Sequence, residues 1–251
     1  MKKLFDKNEV TFALTWVGIY CLTQSIALNL NDFVNIHYFF NAIFCVLLTV
    51  IMFLFVRKNG LEKYYNLRKP SAPAVSFLYY IPLVILATCN LWNGVALNYS
   101  VPGSVCHVIA MLCVGYLEEM IFRGFLFKAM AKKNVTSAII VSSVTFGIGH
   151  IVNSFNGSGM DIVNNILQII FAIAVGFLFV IIFYRGGSIL PCIITHSAIN
   201  SLNTFSNNAG LSTEREIVHV LIVMVIPIIY LLILLKTLPK KLPDEKTDAD
   251  N

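Results

Sequence analysis

The stretch Tyr116-Leu-Glu-Glu-Met-Ile-Phe-Arg123 places two adjacent carboxylates and an arginine inside a segment that is otherwise apolar enough to cross a bilayer. Near the middle of a membrane helix each such charge costs about 2.5–3.5 kcal/mol, so the three unpaired charges would cost roughly 8–10 kcal/mol together. Ionisable groups at this depth usually serve a function. We therefore expect this segment to be the functional centre of the chain.

Helix geometry divides the three charges into two roles. Glu119 and Arg123 are four residues apart, so they share one face of a helix and can neutralise each other. Glu118 lies about 100° round the helix from Glu119 and has no cation nearby in sequence. Its partner must therefore come from another helix. A buried carboxylate of this kind is a candidate general base. The alternative is a set of buried polar groups that only holds helices together.

The composition is that of a polytopic membrane protein. Hydrophobic residues make up 57% of the 251 residues, charged residues only 12%, and the mean hydropathy is +0.78. About a quarter of the residues are charged in soluble domains. The six cysteines lie in apolar segments without paired spacing, which favours small apolar packing residues over disulfides or metal ligands. We expect an integral, multi-pass protein of the plasma membrane.

Eight apolar runs are each long enough to cross the roughly 30 Å hydrocarbon core as a helix. No run alternates in the way that a transmembrane barrel requires, so we predict an all-α protein. The apolar run near the N-terminus is interpreted as a retained first transmembrane helix. The eight runs cover approximately residues 10–30, 36–56, 74–95, 104–130, 136–155, 162–184, 188–206 and 217–235.

These runs suggest three regions. Residues 1–103 hold helices 1–3 and a basic loop near 57–76, which we expect to contain a short interfacial helix before Pro70. Residues 104–206 hold helices 4–7 and the charged segment, and residues 207–251 hold helix 8 and a polar tail. Sixteen of the 18 basic residues fall on one side of this arrangement. By the positive-inside rule both termini are cytoplasmic, and the net charge of +5 needs no nucleic-acid partner.

Two histidines also lie at membrane depth. His150 follows Gly147 and Gly149, which leave room for another helix or a substrate beside the imidazole. His196 lies four residues before Asn200, so an imidazole and an amide stack one turn apart as hydrogen-bond donors. The other histidines, at positions 37, 107 and 219, are expected at the membrane interface.

Together these residues resemble the three motifs of the CAAX protease and bacteriocin-processing (CPBP) family of intramembrane proteases, which includes the type II CAAX prenyl endopeptidases. The resemblance covers roughly residues 104–205. The motifs are Glu118-Glu119-x-x-x-Arg123, Phe146-x-x-x-His150 and His196-x-x-x-Asn200.

The resemblance implies a role for each motif. Glu118 with His150 would activate a water molecule, and His196 with Asn200 would form an oxyanion hole. Glu119 and Arg123 would support the site. Peptide hydrolysis needs such a base and such donors in any case.

A zinc site made of Glu118, His150 and His196 is the alternative, because these are common zinc ligands and the fourth position would stay open. No HExxH is present, and a neutral amide at Asn200 is a poor zinc ligand but a good donor. We therefore favour a site that requires no cofactor, although the family is often labelled as metalloprotease.

The leading functional hypothesis is an intramembrane endopeptidase acting on a membrane-embedded or membrane-anchored protein or peptide. Its substrate would be of the CAAX type or of the bacteriocin or signal-peptide type. A second hypothesis is a non-catalytic membrane binding protein, for example an immunity or sensor-regulating protein. A third is a proton-coupled transporter with Glu118 as relay, which the absence of repeats and of broken helices disfavours.

Overall fold

The computed structural model describes residues 1–155, 161–207, 209 and 212–240, and within them all regular secondary structure is helical. In this part of the chain seven helical segments are long and apolar enough to cross a membrane. The all-α, polytopic fold class is thus confirmed. The predicted polar tail from residue 241 onward and residues 156–160 lie outside the described part of the chain.

The α-helices are numbered here in chain order. They are α1 Lys2–Lys7, α2 Glu9–Leu30, α3 Phe39–Lys58, α4 Ile81–Thr88, α5 Val101–Glu119, α6 Lys128–Ala131, α7 Val135–Gly149, α8 Ile162–Gly186, α9 Leu190–Asn203 and α10 Thr213–Thr237. A π-helical segment, Met120–Phe127, joins α5 to α6. The 3₁₀ segments are Asn31–Phe33, Ala74–Tyr80, Cys89–Leu91 and His150–Ser154.

Polar residues begin several of these helices where the sequence supplies a side-chain oxygen. Ser100 accepts a hydrogen bond from Gly103 N at the start of α5, and Asn134 accepts one from Ser137 N at the start of α7. Such caps satisfy backbone N–H groups that a helix leaves unpaired at its first turn. They fix where α5 and α7 begin, and these two helices carry the first two motifs.

Two of the eight predicted membrane spans look different in the structure. The run at 188–206 forms α9, whose 14 residues extend only about 21 Å, so eight full-length spans become seven and one shorter helix. The third run is broken, because Leu78, Tyr79 and Tyr80 all have positive φ angles before α4 begins. Pro82 lies in the first turn of α4, where proline suits a helix start. The expectation of unbroken helices is therefore wrong for this segment. The expected interfacial helix before Pro70 is also wrong, because that loop forms turns.

Basic connections meet at one end of the helix bundle. Lys132 Nζ lies 2.7 Å from Glu9 Oε1, and Lys128 Nζ donates to the Tyr64 carbonyl oxygen at 2.5 Å. The start of α2, the loop after α3 and the end of α6 therefore lie side by side. We call this the basic end. It agrees with the charge pattern, while the cytoplasmic location of the termini stays a prediction.

The other end of the bundle is held by neutral polar contacts, and we call it the opposite end. Asn98 Nδ2 donates to the carbonyl oxygens of Thr204 at 3.2 Å and Ser206 at 2.9 Å. Ala96 N donates to the Phe205 carbonyl oxygen at 2.9 Å. The segment before α5 thus joins the segment after α9, so α5 begins and α9 ends at this end.

The centre of the bundle is α5 with its π-helical continuation, in which residues 117–127 are all buried. Gly115 permits the close approach of α9, since a Cβ there would lie 2.6 Å from the Ser197 backbone nitrogen. Gly147 similarly admits α8, since a Cβ would lie 2.9 Å from Ile169 O. The predicted room at Gly147 is filled by another helix, whereas a Cβ at Gly149 would meet nothing within 4 Å.

Candidate active site

The first element of the site is the buried ion pair that the spacing predicts. Arg123 Nη1 lies 3.0 Å from Glu119 Oε1, and neither side chain is exposed at all. The guanidinium also lies 4.2 Å from the centre of the Phe146 ring, and its Nη2 donates to Gly176 O at 3.4 Å. A planar guanidinium can make both contacts at once, which an ammonium group cannot. Arg123 thereby ties the first motif to α7 and α8.

His196 connects this pair to the second carboxylate. Its Nδ1 lies 2.8 Å from Glu119 Oε1, and its Nε2 lies 3.6 Å from Glu118 Oε2. A hydrogen bond from Nδ1–H to a carboxylate fixes both the tautomer and the orientation of an imidazole. Glu119 therefore turns the Nε2 side of His196 toward Glu118.

Glu118 finds its partners on other helices, as its position on α5 predicts. Tyr20 on α2 donates its hydroxyl to Glu118 Oε1 at 2.7 Å. Glu118 Oε2 makes no hydrogen bond within the described part of the chain and has only the His196 contact at 3.6 Å. One oxygen thus accepts from Tyr20, and the other is buried with its hydrogen-bonding capacity unused by the described residues.

A cavity of about 290 Å³ brings three of the predicted residues together. Glu118, His150 and Asn200 all line it, from α5, from the end of α7 and from α9. His150 Nδ1 lies 3.1 Å from Phe146 O, so an Nδ1–H donor there leaves Nε2 as an acceptor. The cavity therefore offers a carboxylate oxygen, an imidazole nitrogen and an amide at membrane depth.

His196 is placed differently from its expected partner Asn200. Asn200 lines the cavity, but His196 is buried behind Glu118 and does not line it. Both imidazole nitrogens already face carboxylates. The structure thus brings His196 to the ion pair instead of to the cavity wall, and its assignment to an oxyanion hole stays a prediction.

The zinc alternative does not fit the residues as they are arranged. No group of three or more His, Cys, Asp or Glu side chains in the described residues is placed to hold a metal ion. Among the three candidate ligands, Glu118 accepts from Tyr20 and His196 Nδ1 faces Glu119. Two of the three candidate ligands thus already face other protein groups.

The structure also adds residues that the sequence did not reveal. Tyr20 lies on α2, far from the three motifs, and nothing in its sequence surroundings marks it. His107 was expected at the interface, but it is buried, stacks on Tyr38 with ring centres 4.0 Å apart and lines the same cavity as Glu118. Its spacing of 11 residues from Glu118 on one helix stripe is the signal that could have found it.

Comparison with known proteins yields one match. Residues 101–202 match the family described as Type II CAAX prenyl endopeptidase Rce1-like. This segment runs from the start of α5 almost to the end of α9 and contains all six predicted site residues. Neither a curated protein nor a solved structure matches the chain significantly.

Proposed function

We propose that this chain, whose residues 101–202 match the family described as Type II CAAX prenyl endopeptidase Rce1-like, acts as an intramembrane endopeptidase. The protein is an integral, multi-pass membrane protein of a protease family. The proposed substrate is a membrane-embedded or membrane-anchored protein or peptide of the plasma membrane. The observation that carries the proposal is the cavity that joins Glu118, His150 and Asn200 at membrane depth.

In the proposed reaction Glu118 is the general base. The Glu118 carboxylate takes a proton from a water molecule in the cavity, with the His150 imidazole as second acceptor, and the hydroxide attacks the carbonyl carbon of the scissile bond. The oxyanion that forms accepts a hydrogen bond from the Asn200 amide. Collapse of the tetrahedral intermediate breaks the C–N bond, and Glu118 returns the proton to the leaving nitrogen.

The buried ion pair acts as a positioning device in this proposal. Arg123 holds Glu119, Glu119 orients His196, and His196 Nε2 lies 3.6 Å from Glu118 Oε2. Tyr20 holds the other oxygen. Contacts from several helices thus keep Glu118 in one orientation, which is how supporting residues raise the rate of a catalytic group.

The test compares purified wild-type protein with Glu118→Gln in detergent and in liposomes. Internally quenched apolar peptides and their prenylated counterparts serve as substrates. Glu118→Gln keeps the shape and removes the base, so we expect folded protein without cleavage. Glu9→Gln makes the same chemical change at the basic end and should cleave like the wild type.

Cleavage by Glu118→Gln would remove Glu118 from the role of general base, whereas a folded wild type that cleaves none of the substrates would leave the non-catalytic binding protein as the better explanation. The cofactor question is answered in the same assay by measuring bound zinc and the activity after exhaustive chelation. Stoichiometric zinc whose removal abolishes cleavage would overturn the metal-free mechanism. Mass spectrometry of proteins that accumulate uncut on Glu118→Gln in cells would then identify the substrate.

A further inference from the structure

The cavity is elongated along the helix bundle and extends from Glu118 toward one end of it. On α5 its wall is a single stripe, in which His107, Met111 and Val114 lead to Glu118. These residues span 11 positions of a helix that rises 1.5 Å per residue, so the wall is about 16 Å long. Since α5 begins at the opposite end, the cavity extends from Glu118 toward that end.

The residues that other helices contribute to the cavity also lie toward the opposite end. Here α3 contributes Asn41 near its start, and α9 contributes Asn200 and Asn203 in its last turn. The end of α7 contributes Gly149 and His150, although α7 begins at the basic end. Helices that run in opposite directions therefore contribute their ends from the same side of the bundle.

The path from Glu118 to the basic end is filled by packed aromatic rings. Phe125 follows Glu118 by two turns, and its ring centre lies 5.0 Å from that of Phe12 and 5.2 Å from that of Tyr65. Phe12 in turn lies 5.0 Å from Phe55 and 5.4 Å from Phe5. None of these five side chains is more than 7% exposed. This aromatic cluster closes the basic end while the cavity leads the other way.

The chemistry of the cavity wall indicates what enters it. Six amide side chains line it, and amides can both donate and accept, although Asn41 already donates to Gln24 and Asn153 to Gln168. The six are Gln24, Asn41, Asn153, Gln168, Asn200 and Asn203. Glu118 is the one carboxylate among the described lining residues, which include no lysine or arginine. A terminal carboxylate of a substrate would therefore meet no lysine or arginine among the described lining residues, whereas an uncharged internal segment can form hydrogen bonds with amides such as those of Asn200 and Asn203.

We propose that this cavity is entered from the opposite end only, and that its substrate is an uncharged internal segment presented on the non-cytoplasmic face of the membrane. This inference rests on the proposed peptidase function and adds the side of the membrane and the substrate class. The non-cytoplasmic assignment follows from the basic end, because basic connections stay in the cytoplasm. Exported peptides and the outer segments of membrane proteins fit this geometry, whereas a cytoplasmic prenylated C-terminus does not.

Thiol labelling tests the direction of the cavity without reference to proteolysis. Single cysteines are introduced by Asn203→Cys at the mouth, Met111→Cys midway along the wall and Lys133→Cys at the basic end, with the half-buried native cysteines replaced by serine. Intact cells are treated with a membrane-impermeant maleimide. We expect labelling at positions 203 and 111 in intact cells, and at position 133 only after permeabilisation.

Labelling of positions 203 and 111 only after permeabilisation, or in neither condition, would overturn the inference. Labelling of position 133 in intact cells would overturn it as well.

A second experiment uses two reporter proteins, each with a transmembrane helix. One carries an uncharged segment on the outer side of that helix, and the other carries the same segment on the inner side. We expect cleavage of the outward-facing segment alone, and cleavage of the inward-facing segment alone would refute the inference. Cleavage of neither reporter, with the expected labelling, would count against the peptidase function while the direction of the cavity stood.

Discussion

Replacing Arg123 by glutamine should destabilise the protein more than any exposed charge change. The substitution removes the 3.0 Å ion pair with Glu119, the hydrogen bond to Gly176 O and the stacking on Phe146 at 4.2 Å. Breaking a buried ion pair from one side costs about 3–5 kcal/mol, because the remaining charge is left without its partner. Glu119 keeps His196 at 2.8 Å as a second partner, so we expect a loss near 3 kcal/mol.

The measurement is a double-mutant cycle followed by unfolding in detergent. Arg123→Gln, Glu119→Gln and the double variant are compared with the wild type, and the double variant should be more stable than Arg123→Gln because no uncompensated carboxylate remains. Lys132→Gln is the matched control, since it breaks the Lys132–Glu9 pair of 2.7 Å in which the lysine side chain is 55% exposed. Such pairs contribute little to stability. If Arg123→Gln unfolds at the same temperature as Lys132→Gln, the buried pair is not a main source of stability at this site.

Three further outcomes are expected. Tyr20→Phe removes one hydrogen bond to a charged group, which contributes about 1.5–3 kcal/mol to stability, so the melting temperature should fall. If Tyr20 also positions Glu118 for catalysis, kcat should fall about 10- to 100-fold with KM unchanged, and an unchanged kcat would exclude that role. Asn200→Ala should leave the fold intact and slow cleavage by about 10²- to 10³-fold, the cost of one oxyanion donor, whereas a wild-type rate would remove it from the mechanism. Gly147→Ala should lower the melting temperature because its Cβ would press on Ile169 O of α8, while Gly149→Ala should not; equal melting curves would contradict the packing described here.

Much of this protein could be predicted from local sequence patterns. The apolar runs indicate membrane helices because spanning a hydrocarbon core requires a fixed length of apolar residues. The pairing of Glu119 with Arg123 follows from helical spacing alone, and the structure confirms it. The three motifs predicted a resemblance to CAAX proteases over roughly residues 104–205, and residues 101–202 match that family. Each of these conclusions depends on residues that are neighbours along one helix or on a composition averaged over it.

Only the tertiary structure decided which groups meet across helices. The hydroxyl of Tyr20 reaches Glu118 from α2, and His196 faces two carboxylates instead of the cavity, although its spacing to Asn200 is that of a shared face. Such contacts depend on how far each helix is rotated and on the depth at which it crosses its neighbours. A hydrophobic pattern does not fix those two quantities in a membrane, because lipid and protein interior are equally apolar, so close packing at small residues such as Gly115 decides them.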